Sequence, residues 1–299
     1  MKTCSVGEYN NCIELKSGKF RIAVTQDFGP RVLGGWIDGS ENIFRVLPPK
    51  PMKTVDTGFT LYGGHRLWHS PEVAPRTYAP DNAPVKVTNT DEGLVFENEP
   101  EALTGLQKRI TISKGDKDCF VLNHEITNCG QWTVTMAPWA LTIMAPGGVA
   151  VIPQGRDLKR DPYTPDRSLV LWPYTSTADK RLTLEDKYIL LRQDSNAKSA
   201  AKIGFYASDG WIAYVNNGVA LVKIIEYYDP LEVQYSDNGC NVETYTCKDF
   251  CEIETLAPLF ALEPGEGCSH QEIWQAIYGL PEIRNARDVE KHLEPMIMA

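Results

Sequence analysis

The sequence predicts an antiparallel all-β fold in a single domain spanning residues 1–299, closed by a short C-terminal helix. Three observations carry that expectation: apolar and polar residues alternate over short segments, turn-forming clusters separate the segments, and helical periodicity is confined to the tail. Phe20, Ile22 and Val24 share one strand face, and Val85 with Val87 and Ile110 with Ile112 repeat the pattern. Val121 and Ile126 flank a polar centre, and Trp132, Val134 and Met136 follow at the same period. Between these segments stand Lys16-Ser17-Gly18, Asp38-Gly39-Ser40, Asp91-Glu92-Gly93, Lys114-Gly115-Asp116, Ser208-Asp209-Gly210, Asn216-Asn217-Gly218 and Asp237-Asn238-Gly239. Their Gly and Asn residues supply the left-handed backbone that tight hairpins need. Only Pro281 to Met298, with Ile283, Val289 and Leu293, reads as helical, in a position to cover a sheet edge. The stretch from Pro153 to Pro173, rich in Pro, Asp and Arg, predicts a long excursion between strands that either walls a cleft or runs along the surface.

At 299 residues and 42% hydrophobic content the chain is long enough for a large core, and no linker or repeat divides it. Thirty basic against 39 acidic side chains give a net charge of -9, which repels phosphate backbones and anionic lipid surfaces. No apolar run approaches the ~20 residues of a membrane helix, and the start of the chain lacks an apolar export segment. Nucleic acid and membrane are therefore not expected partners. The eight cysteines form no Cys-x-x-Cys pair, and Cys240, Cys247 and Cys251 lack the short knuckle of a structural zinc site. Free thiols and the absence of an Asn-x-Ser/Thr sequon point to a cytoplasmic protein.

Chemistry concentrates in Gly63-Gly64-His65-Arg66-Leu67-Trp68-His69-Ser70-Pro71-Glu72. The two glycines admit backbone shapes closed to other residues and Pro71 forbids a helix interior, so the segment reads as a shaped loop or strand end. It either presents His65, Arg66, Trp68, His69 and Glu72 to a ligand, or it is a hairpin in which Arg66 pairs with Glu72 and Trp68 fills the core.

A second concentration lies in Phe250-Cys251-Glu252-Ile253-Glu254-Thr255-Leu256, a strand pattern in which Glu252 and Glu254 share a face. Side chains two apart on a strand start roughly 7 Å from each other, so each carboxylate raises the proton affinity of the other where both are desolvated. Upstream, Asn241, Glu243 and Tyr245 line one face of a neighbouring segment, and a hairpin through Thr246 to Asp249 would set Glu243 beside the pair. Three carboxylates on one sheet face suit a hydroxyl-rich ligand or a cation; a solvated face of glutamates is the plainer alternative.

Taken in order, several segments resemble the galactose mutarotase-like superfamily of β-supersandwich proteins, which includes the aldose 1-epimerases. Phe28-Gly29-Pro30-Arg31 through Asp38-Gly39 is similar to its opening hairpin, and Gly63-Gly64 stands where it has a glycine-rich, ligand-facing loop. Asn123-His124-Glu125-Ile126-Thr127-Asn128 resembles its strand ending in Thr-Asn; Glu252 to Thr255 and Leu262-Glu263-Pro264-Gly265-Glu266 resemble its glutamate-bearing strand and the following turn. The Gly-Gly-His-Arg-Leu-Trp stretch is similar to an uncharacterised branch. The resemblance implies a sugar in a concave cleft and general acid-base exchange at the anomeric carbon, one glutamate taking the hydroxyl proton while a histidine protonates the ring oxygen, with no metal or organic cofactor. Glu254 matches the glutamate, and Glu252 on the same face is its substitute. The family's histidine follows the Thr-Asn strand in a His-x-Tyr-Phe setting; here that region reads Ala137-Pro138-Trp139-Ala140. His69, or else His65, would then supply the acid from another wall, with Arg66, Glu72, Glu243 and Glu252 on the sugar hydroxyls and Trp68 or Trp139 against a sugar face.

Three function classes stay open: an aldose 1-epimerase-like enzyme or altered relative, a non-catalytic carbohydrate-binding protein, and a metal-dependent enzyme using His65, His69 and Glu72. The third requires His65 and His69 on one helix face, which Pro71 disfavours.

Overall fold

The computed structural model describes residues 2–155, 163 and 165–298. Its strands form two antiparallel sheets of 11 and 10 strands, packed face to face as a β-supersandwich. The first sheet begins with the N-terminal meander of Lys2–Val6, Tyr9–Ser17, Phe20–Thr25 and Arg31–Ile37. It continues through Gly64–Ser70, Val134–Met144, Cys251–Leu256, Val242–Thr246 and Ala201–Phe205 to Leu169–Leu171. The second sheet is built around Gly267–Tyr278, which pairs with Val219–Ile225 on one side and Cys119–Asn128 on the other.

Turn chemistry sets the hairpins. Trp211–Asn216 and Val219–Ile225 are joined by Asn217 and Gly218, both left-handed at φ 47° and 79°, the combination a two-residue type I′ turn requires. Between the sheets the inward halves of the alternating strands interdigitate. Phe20 meets Phe120 edge-on with ring centroids 5.2 Å apart, and Phe44 meets Trp274 at 5.6 Å. Each such side chain stabilises the fold by about 1.5–3 kcal/mol through removal from water.

The expected C-terminal helix is present as three short consecutive turns, Ala286–Asp288, Val289–Leu293 and Glu294–Met296. Asn285 caps it through a side-chain oxygen that accepts the Asp288 amide at 3.1 Å. It covers a sheet face instead of an edge: Val289 and Leu293 pack with Tyr188, Trp211 and Ile277 on the outer side of the second sheet. The expected excursion from Pro153 to Pro173 lies partly outside the described residues, and its far end holds the short edge strand Leu169–Leu171. All eight cysteines are free thiols. Among the described residues no helix is long and apolar enough to cross a membrane.

Candidate functional site

The segment Gly64–Ser70 is a strand, not a loop, and all seven of its residues are buried. The glycines govern its entry. Gly63 and Gly64 are left-handed at φ 90° and 66°, and a Cβ on them would stand 2.0 Å from the Arg45 carbonyl oxygen and 2.2 Å from that of Val32. Only hydrogen side chains let the chain pass there. Beyond them the strand alternates: Arg66 and Trp68 project from the outer face of the first sheet, and His65, Leu67 and His69 project inward.

On the outer face a cavity of about 330 Å³ opens over the centre of the sheet. The pairing of strands builds it. Trp68 lies opposite Trp139, Arg66 opposite Leu141, Leu141 opposite Glu254, and Glu254 opposite Glu243. The two indoles meet at 5.5 Å within an apolar patch that includes Phe59, Leu141 and Leu256. The Arg66 guanidinium stacks over Trp68 at 4.1 Å and donates to Glu252 at 3.1 Å, so Arg66 pairs with Glu252 and not with Glu72. Glu72 is exposed at the rim, where it accepts the Tyr78 hydroxyl. Tyr174 and Tyr245 complete the wall.

Lys202 organises the floor. Its ammonium lies 2.7 Å from Glu243 and 2.9 Å from Glu254, and it stacks over Trp139 at 4.5 Å. The Trp139 indole N–H donates to the same Glu254 oxygen at 3.0 Å, while the other Glu254 oxygen has no protein partner. Glu243 and Glu254 are wholly buried. Burial disfavours the charge of Lys202, but the two carboxylates outweigh it and hold the ammonium well above its ordinary range. Burial pushes the Glu243 carboxyl well up, against the pull of Lys202 and with the charge of Glu254 adding to the rise. Glu252 is raised for the same reason, burial first, with Arg66 opposing. The cavity thus offers aromatic surface, donors from Arg66 and Lys202, and the carboxyl groups of Glu72 and Glu252 as acceptors, with Glu243 and Glu254 wholly buried behind Lys202.

The histidines are elsewhere, which corrects the expectation that His65 or His69 faces Glu254 across a cleft. The reason is parity: an odd-numbered side chain on this strand points away from the cavity that Arg66 and Trp68 enter. His65 contacts His124 at 2.7 Å and Thr142 at 2.9 Å between the sheets. His124 also meets the His270 carbonyl oxygen at 2.9 Å, and His270 meets Thr255 at 2.7 Å. This network surrounds Glu272, which accepts from Lys223 at 2.9 Å, Thr255 at 2.5 Å and Trp274 at 2.7 Å. Lys223 also reaches across to the Ala140 carbonyl oxygen at 3.2 Å.

The metal constellation of His65, His69 and Glu72 does not assemble either. His65 and His69 stand four residues apart along an extended strand, roughly 13 Å, and Glu72 is outside with Tyr78. Among the described residues the one trio of potential ligands within 4.8 Å is His65, His124 and Glu272. The ammonium of Lys223 already occupies the cation position beside that carboxylate, and a second buried cation there would be repelled.

Sequence reasoning brings Glu243, Glu252 and Glu254 onto one face and puts Arg66, Trp68 and Trp139 with them. It misses Lys202, Tyr78 and Tyr174. Lys202 sits in the unremarkable run Ala200-Ala201-Lys202-Ile203, whose only signal is the alternation that turns Lys202 to the face of Tyr245, its partner in register.

Solved structures resemble this architecture over nearly the whole chain. A galactose mutarotase-like protein from Clostridium acetobutylicum superposes with a TM-score of 0.55 at 9% identity, covering 93% of this chain and 98% of its own. Another from Lactobacillus casei gives 0.53 at 8% identity, covering 89% and 100%. A candidate aldose 1-epimerase from Escherichia coli gives 0.54 at 16% identity, covering 90% and 99%. No protein-family profile and no curated protein sequence matches the chain. The chain has the galactose mutarotase-like fold.

Proposed function

We propose that this chain binds a carbohydrate in the outer-face cavity, with the sugar ring against Trp68 and Trp139 and its hydroxyls on Arg66, Lys202 and Glu252. The observation that carries the reading is the convergence of two indoles with these charged side chains in one cavity of a mutarotase-like fold. Stacking supplies affinity for the apolar ring face, while closely spaced donors and acceptors read hydroxyl positions. Glu72, with Tyr78, would meet the ligand at the rim, and Glu243 would act through Lys202. The eight free thiols support a reducing compartment such as the cytoplasm.

Anomer exchange is a second reading, favoured by the glutamate pair. Glu254 receives Lys202 and Trp139 on one oxygen and keeps the other unspent, as a base requires; Glu252, whose carboxyl is raised by burial, is the group able to hold a proton for the ring oxygen. Two carboxyls in unlike environments can divide acid and base roles without histidine.

Tryptophan fluorescence titrated with a panel of free and phosphorylated monosaccharides tests binding. Saturable quenching that Trp139→Ala abolishes is expected, and a panel with no response rejects the reading. NMR exchange between anomers tests turnover. Glu254→Gln is expected to slow it by roughly 10²-fold or more with little change in affinity. A wild-type chain that binds sugar and leaves its anomer exchange unaccelerated is a binding protein only.

A further inference from the structure

His69 is absorbed by neither the sugar cavity nor the histidine network. It lies on the inner side of the Gly64–Ser70 strand, wholly buried, and neither ring nitrogen has a hydrogen-bond partner. An imidazole buried with both polar atoms idle is costly, and such groups are rare in folded proteins unless something else meets them.

What His69 borders is a second cavity of about 310 Å³, which shares no lining residue with the first. Its walls are aliphatic, formed by Leu103, Leu106, Val134 and Met136. Arg76 stands at its side. One guanidinium nitrogen donates to the Pro71 carbonyl oxygen at 3.3 Å, Nε has no partner, and among the described residues no carboxylate pairs with it. Leu103 is half exposed, which leaves the cavity open to solvent.

These features specify a ligand. Arg76 provides an unspent positive charge with planar donors suited to a carboxylate. The aliphatic walls suit a hydrocarbon body of modest size. His69 is held neutral, its pKa pushed down to about 2 by burial and by the nearby charges of Lys108 and Arg76, so the ring offers one donor and one acceptor. A hydroxyl beside the ligand's carboxylate satisfies one of them, donating to the bare nitrogen or accepting from the N–H. We propose that this cavity is a second binding site, independent of the sugar cavity, for a small carboxylate that carries an apolar body and a neighbouring hydroxyl.

Mandelate has all three features and serves as the probe, with 1-phenyl-1,2-ethanediol lacking the carboxylate and phenylacetate lacking the hydroxyl. Titrations are followed by ¹⁵N NMR of the histidine rings and by calorimetry. Mandelate is expected to shift the His69 ring signals saturably at millimolar concentration and to bind more tightly than either comparison compound. Arg76→Gln, at a half-buried position where folding is little affected, is expected to weaken mandelate by about tenfold or more. His69→Phe, which fills the polar end with hydrocarbon, is expected to abolish the preference for mandelate over phenylacetate. The proposal is overturned if mandelate leaves the His69 signals unchanged at saturation, if the diol binds as well as mandelate, or if Arg76→Gln binds it with unaltered affinity. Loss of sugar binding in the fluorescence titration bears on the first cavity alone, so the two readings fail separately.

Discussion

The imidazoles of His65 and His124 meet nitrogen to nitrogen, with 2.7 Å between their Nε2 atoms, in the space between the two sheets. Their partners fix the protons. The His270 carbonyl oxygen only accepts, so His124 donates from Nδ1 and its Nε2 is bare. His65 therefore donates from Nε2, and its Nδ1 accepts the Thr142 hydroxyl. Protonating His124 would place two N–H groups against each other, and protonating His65 would turn its Nδ1 into a donor facing the Thr142 hydroxyl that donates to it. Burial holds both rings below the ordinary histidine range, His65 far below it.

Acidification should therefore destabilise the fold. His65, His124, His69 and His270 all have depressed pKa values in the folded state, with His69 at about 2 and His270 at about 3, chiefly through burial. Their ordinary value of 6.5 applies once the chain unfolds, so their stabilising contribution is complete above that pH. It is lost as pH falls, by about 1.4 kcal/mol per pH unit for each imidazole that only the unfolded chain protonates. Glu243 has the opposite sign: its raised carboxyl makes its burial less costly as pH falls toward 4.5. Urea midpoints measured from pH 7 to pH 5 should decline, and His69→Gln should make the decline shallower by about one proton. An unchanged slope in that variant would show that His69 is not held neutral.

Lys202→Met should destabilise the protein by about 3–5 kcal/mol at pH 7, because it leaves two opposed carboxylates buried without their cation. The loss should shrink at pH 5 as Glu243 takes up a proton. Chemical denaturation at the two pH values checks both statements, and a loss independent of pH would place the effect in packing against Trp139 instead.

Gly64→Ala should cost about 3 kcal/mol or more, since the new methyl group would meet the Val32 carbonyl oxygen at 2.2 Å on a left-handed backbone. Gly265 is also left-handed, yet nothing lies within 4 Å of its would-be Cβ, so Gly265→Ala should cost only about 1 kcal/mol. Thermal unfolding of the two variants side by side separates close approach from backbone strain alone.

Arg66→Met should weaken the proposed sugar binding by about tenfold or more, as it removes a charged donor from the cavity. It should also raise the Glu252 carboxyl further, since Arg66, ahead of Lys202, opposes its rise. Fluorescence titration at several pH values reads both effects, and unchanged affinity would move the ligand away from Trp68.

Period-two alternation made the β architecture and the shared face of Glu252 and Glu254 legible in the sequence, because both are consequences of strand geometry within a few residues. The same rule separates His65 and His69 from Arg66 and Trp68. It was masked by Gly63-Gly64 and Pro71, which suggest a loop but in fact flank the strand at either end. Lys202 was beyond local reasoning. A lysine is ordinarily solvated, and only the pairing of Ala201–Phe205 with Val242–Thr246, some 40 residues away in sequence, buries it between two glutamates.

Hydrocarbon surfaces have little preference for one alignment over another, and two smooth β layers held by apolar contact alone can shear with small loss of buried area. The bonds from Lys223 to Ala140, His65 to His124, and Thr255 to Glu272 act as dowels driven through that seam. Each has direction as well as length, so a sideways drift of an ångström would break them together and strand polar groups in a dry interior. The strands carrying Trp68, Trp139 and Glu254 are the ones so pinned. The contacts proposed for a sugar on one side of these strands would thus inherit their rigidity from hydrogen bonds on the other side, away from the cavity.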